Sequence, residues 1–124
     1  MFIQHISDVP VRERSGLYSH ILLQQQDAAQ SNLAVTWVEV KPGKRQRLHH
    51  HLAEQVYVIV QGEGKMQVGE ETAVLHTGHM VYIPSDQPHG IINTGNEPLV
   101  YISAATPSFD MTAVYDHGQL KSDA

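Results

Sequence analysis

The chain has 124 residues, of which 41% are hydrophobic, and a formal net charge of −5 with neutral histidines. This length predicts one domain with room for a core. The negative charge gives no reason to expect the basic face that nucleic-acid binding needs. No apolar run approaches the length needed to cross a bilayer, and the start of the chain does not resemble a signal peptide. We therefore expect a cytoplasmic protein with neither a nucleic-acid nor a membrane partner. The absence of cysteine excludes disulfides and thiolate chemistry.

The elements in chain order predict an all-β protein. Residues 1–15 are mixed and read as an edge strand or an arm, and Leu17–Leu23 alternates loosely. β-Branched and aromatic residues, bounded by Gly, Pro, Asn or Asp, then mark a series of short strands. These predicted strands cover residues 33–40, 56–60, 65–68, 72–75, 80–83, 89–92 and 99–104, with a hairpin turn at 69–71. Asp110–Leu120 could form either a turn of helix or a final strand. Short strands at this spacing indicate a sandwich or a barrel.

Histidines gather in two stretches, residues 43–62 and 78–93, and a β-rich segment separates them. If residues 45–51 are extended, side chains alternate between faces, so His49 and His51 face one way and His50 the other. Arg45 and Arg47 would share the face of His49. A third imidazole from His89 and one amide or carboxylate oxygen would complete a site for a divalent transition ion such as Fe, Mn, Ni, Cu or Zn. Five further histidines are interpreted as ordinary surface or structural residues: His5, His20, His76, His79 and His117.

The spacing of these residues resembles the two motifs of a small single-domain cupin. The first motif is Gly, five residues, His-x-His, three or four residues, Glu, six residues, Gly, and its positions correspond to Gly43, His49, His51, Gln55 and Gly62. The second is Gly, five residues, Pro-x-Gly, two residues, His, three residues, Asn, and its positions correspond to Gly78, Pro84, His89 and Asn93. The resemblance covers about residues 33–104. It implies a double-stranded β-helix, or jelly-roll barrel, within a single domain of residues 1–124. Residues 1–32 would form N-terminal strands or an arm, and residues 105–124 a tail. It also implies a homodimer and a small-molecule partner.

Two departures from the family pattern affect the predicted site. Asp86 stands where the family has glycine after the proline, and Asp tolerates turn conformations. Gln55 stands where the family usually has Glu, with Glu54 one residue earlier as an alternative ligand. Strand alternation puts Gln55 on the same face as Tyr57, and the spacing to Gly62 also selects it. The predicted ligands are therefore His49, His51, Gln55 and His89. Since none of these carries a charge, the ion would keep its full +2 charge and attract an anionic or chelating oxygen ligand.

The resemblance implies a metal-dependent enzyme acting on a small oxygen-rich or anionic molecule, although it does not name the reaction. We expect a dioxygenase first and an isomerase or lyase acting on sugar acids second. Predicted substrate-binding residues are Arg45, Arg47 and Tyr57, because arginine binds carboxylates bidentately and Tyr57 shares the parity of Gln55. Catalytic candidates are Tyr57 and Glu54, with His50 as a further guess. The alternatives are a non-catalytic module that binds a small ligand or a metal, and a structural protein with a vestigial site.

Overall fold

A computed structural model describes residues 1–25, 27–28 and 31–107. A short 3-10 turn at Ile6–Asp8 precedes the strands of this part of the chain. The strands are β1 Val11–Arg14, β2 Leu17–Leu23, β3 Ala34–Val40, β4 Arg45–His49, β5 Glu54–Gln61, β6 Glu63–Val68, β7 Glu71–His76, β8 Met80–Ile83, β9 His89–Asn93 and β10 Leu99–Thr106. The segment Asp110–Leu120, predicted as a helical turn or a strand, lies outside the described residues.

The strands form two antiparallel sheets whose order departs from chain order. One sheet has the order β1-β2-β3-β10-β5-β8 and the other the order β4-β9-β6-β7. Strands distant in sequence are therefore neighbours, as β3 and β10 are, and the two halves of the chain interleave. The all-β prediction is confirmed. The N-terminal edge strand is β1, which pairs with β2 alone among the described strands.

The core lies between the inner faces of the two sheets. On β3 every second residue is buried, from Ala34 to Val40, as expected for a strand with one face against a core. On β5 the buried residues are Gln55, Tyr57 and Ile59. The rings of Tyr57 and Tyr101 stack with their centroids 4.3 Å apart. The interior is mainly apolar; its buried polar side chains are His49, His89 and Asn93 on β4 and β9, and Ser19, Thr36, Gln55 and Ser103 on other strands.

A β-bulge in β4 changes which side chains reach the interior. Gln46 pairs with Ile91 and His49 pairs with His89, so Arg47 and Leu48 together stand opposite Gly90. A Cβ at Gly90 would lie 2.7 Å from the carbonyl oxygen of Gln46, so the close approach of β4 requires glycine there. The strict alternation predicted over residues 45–51 is therefore wrong. Gln46 faces the interior beside the fully buried Ile91, and Arg45 takes the outer face opposite Ile92.

Part of the outer face of the six-stranded sheet is apolar and at least partly exposed in the single chain. Val58 is 38% exposed and Val60 is 37% exposed within one chain. Val58 pairs with Met80 on one side and with Ile102 on the other, and Ile102 pairs with Trp37. These four residues form a row across β8, β5, β10 and β3.

Within the part of the chain that the structure describes, no helix is long and apolar enough to span a membrane.

Candidate metal site

Three histidines from distant parts of the chain converge at one end of the barrel. His49 ends β4, His51 follows it in the loop, and His89 begins β9 directly opposite His49. Ring centroids are 4.2 Å apart for His49 and His89, 5.1 Å for His51 and His89, and 5.7 Å for His49 and His51. Each residue offers one ring nitrogen, and these nitrogens all lie within 4.8 Å of one another. Three imidazoles at this spacing can ligate one ion.

Backbone carbonyls fix the tautomer of each imidazole. Nδ1 of His49 lies 2.8 Å from the Arg47 carbonyl oxygen, Nδ1 of His51 lies 3.0 Å from that of Ala53, and Nδ1 of His89 lies 2.8 Å from that of Gln87. A carbonyl can only accept, so Nδ1 carries the proton and Nε2 keeps its lone pair. Hydrogen bonds of this kind orient metal-binding histidines in proteins. The backbone around each residue therefore prepares all three rings to act through Nε2.

Burial keeps these imidazoles neutral. It lowers the pKa of His49 to about 3, with a further lowering from the neighbouring His89, against the raising effect of the Arg47 carbonyl. Burial lowers the pKa of His89 to about 4 in the same way. The pKa of His51 is also lowered, chiefly by burial. Neutral imidazole is the form that binds metal, so the trio is ready to ligate at neutral pH.

Gln55 is the buried neighbour of this trio on β5. Its amide nitrogen donates to the hydroxyl of Ser103 on β10, which directs the amide oxygen away from β10. That oxygen is buried and, among the described residues, has no hydrogen bond of ordinary geometry, although the Gln55 side chain is close enough to raise the pKa of His51. Glu54 lies on the opposite face of the strand. It is exposed, and its carboxylate accepts a hydrogen bond of 2.9 Å from Tyr82.

At this site, two buried acceptors lack a hydrogen-bond donor among the described residues: Nε2 of His89 and Oε1 of Gln55. Burying an acceptor without a donor costs about 1–3 kcal/mol, and proteins rarely carry such a cost without a reason. A metal ion would satisfy both atoms at once. The residues present thus fit a divalent transition ion held by three imidazole nitrogens and one amide oxygen.

Tyr57 and Gln46 form a polar pair beside the histidines. The Tyr57 ring meets the His89 ring edge-on with a centroid distance of 6.0 Å, and its hydroxyl donates to Oε1 of Gln46 at 2.6 Å. Gln46 was not among the predicted site residues because strand alternation placed it on the wrong face. Gly90 is the sequence feature that could have indicated the bulge in β4, since a glycine there permits two residues of β4 to stand opposite one residue of β9.

The loops that carry the two motifs are joined to each other by three hydrogen bonds. The amide of Asp86 donates to the carbonyl of His51 at 2.8 Å, and the hydroxyl of Ser85 donates to the carbonyl of Leu52 at 2.6 Å. Nδ1 of His50 lies 2.8 Å from the Asp86 carboxylate, so His50 contacts the loop and points away from the trio. Asp86 has a φ of 64°, the left-handed conformation that explains a glycine at this position in the family pattern. Asp86 thus adds a contact that glycine cannot make.

The two arginines are placed differently from the expectation. The register puts Arg45 on the outer face of its sheet, away from His49, so its predicted substrate role has no support from the strand geometry. Arg47 lies in the bulge and is half-buried, and its carbonyl holds the His49 ring. Substrate binding by Arg47 stays a prediction.

Comparisons with known proteins agree with this fold and this motif spacing. The family described as "Cupin domain" matches residues 36–105. An uncharacterised protein of Methanocaldococcus jannaschii is 35% identical over 71 residues, which is 56% of this chain and 57% of that protein. The mannose-1-phosphate guanylyltransferase RfbM of Salmonella typhimurium is 29% identical over 80 residues, covering 63% of this chain and 16% of that enzyme. The chain thus spans under two thirds of the length of these relatives.

Solved structures show the same architecture. An RmlC-like cupin from Shewanella frigidimarina superposes with a TM-score of 0.75 at 19% identity, covering 89% of this chain and 94% of that one. A predicted oxalate decarboxylase from Thermotoga maritima gives 0.76 at 21% identity, with 85% and 98% covered. Ectoine synthase from P. lautus gives 0.79 at 17% identity, with 94% and 86% covered. The resemblance found in the two histidine motifs is therefore confirmed across the interleaved sheets, and this chain belongs to the cupin family.

Proposed function

We propose that this cupin is a metal-dependent enzyme that acts on a small molecule through an oxygen donor. One divalent transition ion would be held by His49, His51, His89 and Gln55. The observation that carries the proposal is the shared orientation of the three imidazoles, whose Nδ1 atoms all lie against backbone carbonyls. Such an arrangement leaves Nε2 unprotonated on all three rings, and the ligand nitrogens of the three residues lie within 4.8 Å of one another.

When bound, the ion would act as a Lewis acid toward a ligand oxygen, or support oxygen chemistry if it is iron. The protein side chains would bind and orient the ligand. Because its four ligands are neutral, the site favours a ligand that brings negative charge. Tyr57 would position such a ligand by donating to it the phenolic hydrogen bond that Oε1 of Gln46 accepts in this structure, at 2.6 Å. Glu54 is a weaker catalytic candidate because it lies on the other face of β5.

Structural neighbours support an enzyme over a passive module. They include a predicted oxalate decarboxylase and an ectoine synthase, both named for the conversion of small molecules. These names favour a lyase-type reaction over the dioxygenase expected first from the sequence, so we propose a lyase acting on a small carboxylate-bearing molecule and keep the dioxygenase as the second choice. A non-catalytic binding module is the alternative. Turnover decides between them, since a module would be stabilised by a ligand without converting it.

The metal proposal is tested by elemental analysis of protein purified without chelators and then loaded in turn with Fe, Mn, Ni, Cu and Zn. Wild-type protein should hold about one equivalent of at least one ion. His49→Ala and His89→Ala should each lose it. His50→Ala is the matched control, because His50 is adjacent in sequence but faces the Asp86 loop, and it should retain the ion. Retention by His49→Ala, or no ion in wild-type protein, would contradict the proposal.

We also propose that the protein is a homodimer whose interface is the outer face of the six-stranded sheet. The row Met80, Val58, Ile102 and Trp37 supports this, because it is a contiguous apolar surface in which Met80 and Val58 are exposed and Ile102 and Trp37 half-buried, and such surfaces are typical of association. Sedimentation velocity should find dimers that Val58→Lys dissociates. Val74→Lys, on the exposed face of the other sheet, should leave them intact. A wild-type monomer would refute the interface. A cytoplasmic location stays a prediction.

A further inference from the structure

Ser103 lies on β10 inside the barrel, next to the strand that carries Gln55. Its side chain shares the inner face with that of Gln55, because Ser103 pairs with Tyr57 and Gln55 pairs with Ala105. The two side chains are therefore diagonal neighbours on adjacent strands, a separation that a long side chain can bridge. Gln55 does so, and its amide nitrogen donates to the Ser103 hydroxyl. Both residues are buried, Gln55 being 6% and Ser103 8% exposed.

The amide of Gln55 has two unlike ends, and only one of them can bind a metal ion. The carbonyl oxygen has free lone pairs, whereas the nitrogen carries two hydrogens and acts only as a donor. A carboxylate at this position would offer two equivalent oxygens, so either orientation would serve. The amide of Gln55 can therefore ligate an ion only when its oxygen, and not its nitrogen, faces the histidine trio.

The reversed amide is a competing arrangement in metal-free protein. It would turn two N–H donors toward the trio, where Nε2 of His89 is buried and lacks a donor among the described residues. The observed orientation instead gives the donor to Ser103 and leaves the Gln55 oxygen buried without a donor in that part of the chain. An unpaired buried acceptor costs about 1–3 kcal/mol. The hydrogen bond to Ser103 is the contact that offsets this cost.

We propose that Ser103 is a positioning residue that presents the Gln55 amide oxygen, rather than the amide nitrogen, to the metal ion. This inference rests on the proposed metal site and adds to it a residue that acts through Gln55 and is not itself a ligand. Without the Ser103 hydroxyl, the metal-bound protein would bury the amide N–H groups with no acceptor. Metal-free protein would avoid that cost, because its amide could rotate toward the imidazoles. Loss of Ser103 should therefore weaken metal binding and not merely the stability of the fold.

A double-mutant cycle tests whether Ser103 acts through Gln55, with zinc(II) affinity measured by competition with a chromophoric chelator. In the wild-type background, Ser103→Ala should weaken zinc binding about tenfold. In the Gln55→Ala background, the same substitution should change the affinity by less than about twofold, because the amide that Ser103 positions is absent. Ser19→Ala is the matched control, since it removes another buried hydroxyl on β2, two strands from β10, and should leave the affinity unchanged. Equal losses in the two backgrounds, or an equal loss in Ser19→Ala, would overturn the inference.

A second measurement, on metal-free protein, separates this inference from the metal proposal. In wild-type protein the side-chain amide protons of Gln55 should show nuclear Overhauser contacts to the β protons of Ser103. In Ser103→Ala the amide protons should instead contact the imidazole rings of His51 or His89. This change in a protein that takes up no ion would support the orienting role of Ser103 and refute the metal-dependent function. Amide contacts that stay at position 103 in Ser103→Ala, in a protein that still binds zinc, would refute the role of Ser103 and leave the metal proposal standing.

Discussion

The stability of the metal-free protein should fall as the pH drops below neutral, and the two most buried histidines should cause much of that fall. His49 and His89 are 4% and 1% exposed, and burial lowers their pKa values from 6.5 to about 3 and about 4. Between pH 4 and pH 6.5 the unfolded chain therefore binds protons that the folded chain does not. Stability consequently decreases as the pH falls through 6.5 and is insensitive to these groups above that value.

The magnitude follows from the size of the pKa differences. One pKa unit corresponds to about 1.4 kcal/mol, and each histidine remains neutral in the folded chain throughout the range from pH 7.5 to pH 5.5. Each should then remove about 1.4 kcal/mol from the free energy of unfolding over this range, or about 3 kcal/mol for the pair. Domains of ordinary size have only about 5–15 kcal/mol in total, so the effect is measurable.

Urea unfolding in the presence of a chelator, at several values between pH 7.5 and pH 5.5, measures this dependence. The double variant His49→Asn/His89→Asn has the same carboxylates as the wild type, so the difference between their pH profiles isolates the two imidazoles. Exposed His50→Asn serves as the matched control and should follow the wild type. Parallel profiles for the wild type and the double variant would refute the claim that burial keeps these rings neutral.

Three further predictions concern the site and the bulge that shapes it. Gln55→Ala should weaken metal binding at least tenfold and Glu54→Ala should leave it nearly unchanged, because only the Gln55 oxygen is buried beside the trio. Competition with a chromophoric chelator measures both affinities. A larger loss in Glu54→Ala would make Glu54 the fourth ligand instead of Gln55. Tyr57→Phe should lower the free energy of unfolding by about 1 kcal/mol, because it removes the hydrogen bond to Gln46. The variant should keep its bound metal. Loss of the ion would mean that the phenol itself helps to hold it. Gly90→Ala should cost about 1–3 kcal/mol and also weaken metal binding, because its Cβ would meet the β4 backbone at 2.7 Å and displace the strand that carries the first histidine.

Gly95→Ala provides the control for the glycine substitution. A Cβ at Gly95 would come no closer than 3.3 Å to any atom, and that atom belongs to the Glu63 side chain, which can move. Urea unfolding should therefore show a smaller loss in Gly95→Ala than in Gly90→Ala. Equal stability of the two variants would argue against a tight bulge at β4.

Sequence by itself was sufficient for the fold class and for the convergence of the histidines. Turn residues and β-branched runs marked the strands, and motif spacing brought together His49, His51 and His89, which the structure places within ligand distance of one another. Alternation on β5 also placed Gln55 and Glu54 on opposite faces of the strand, as the structure does, since β5 runs without a bulge from Glu54 to Tyr57. Local rules succeed where a strand stays regular, because the side-chain period is then fixed by the backbone alone.

Only the tertiary structure decided which residues of β4 line the site. The bulge opposite Gly90 turns Gln46 inward and Arg45 outward, and its cause is the approach of a strand about forty residues away in the chain. Pairing register and interior volume are non-local quantities, and a single strand's sequence does not contain them.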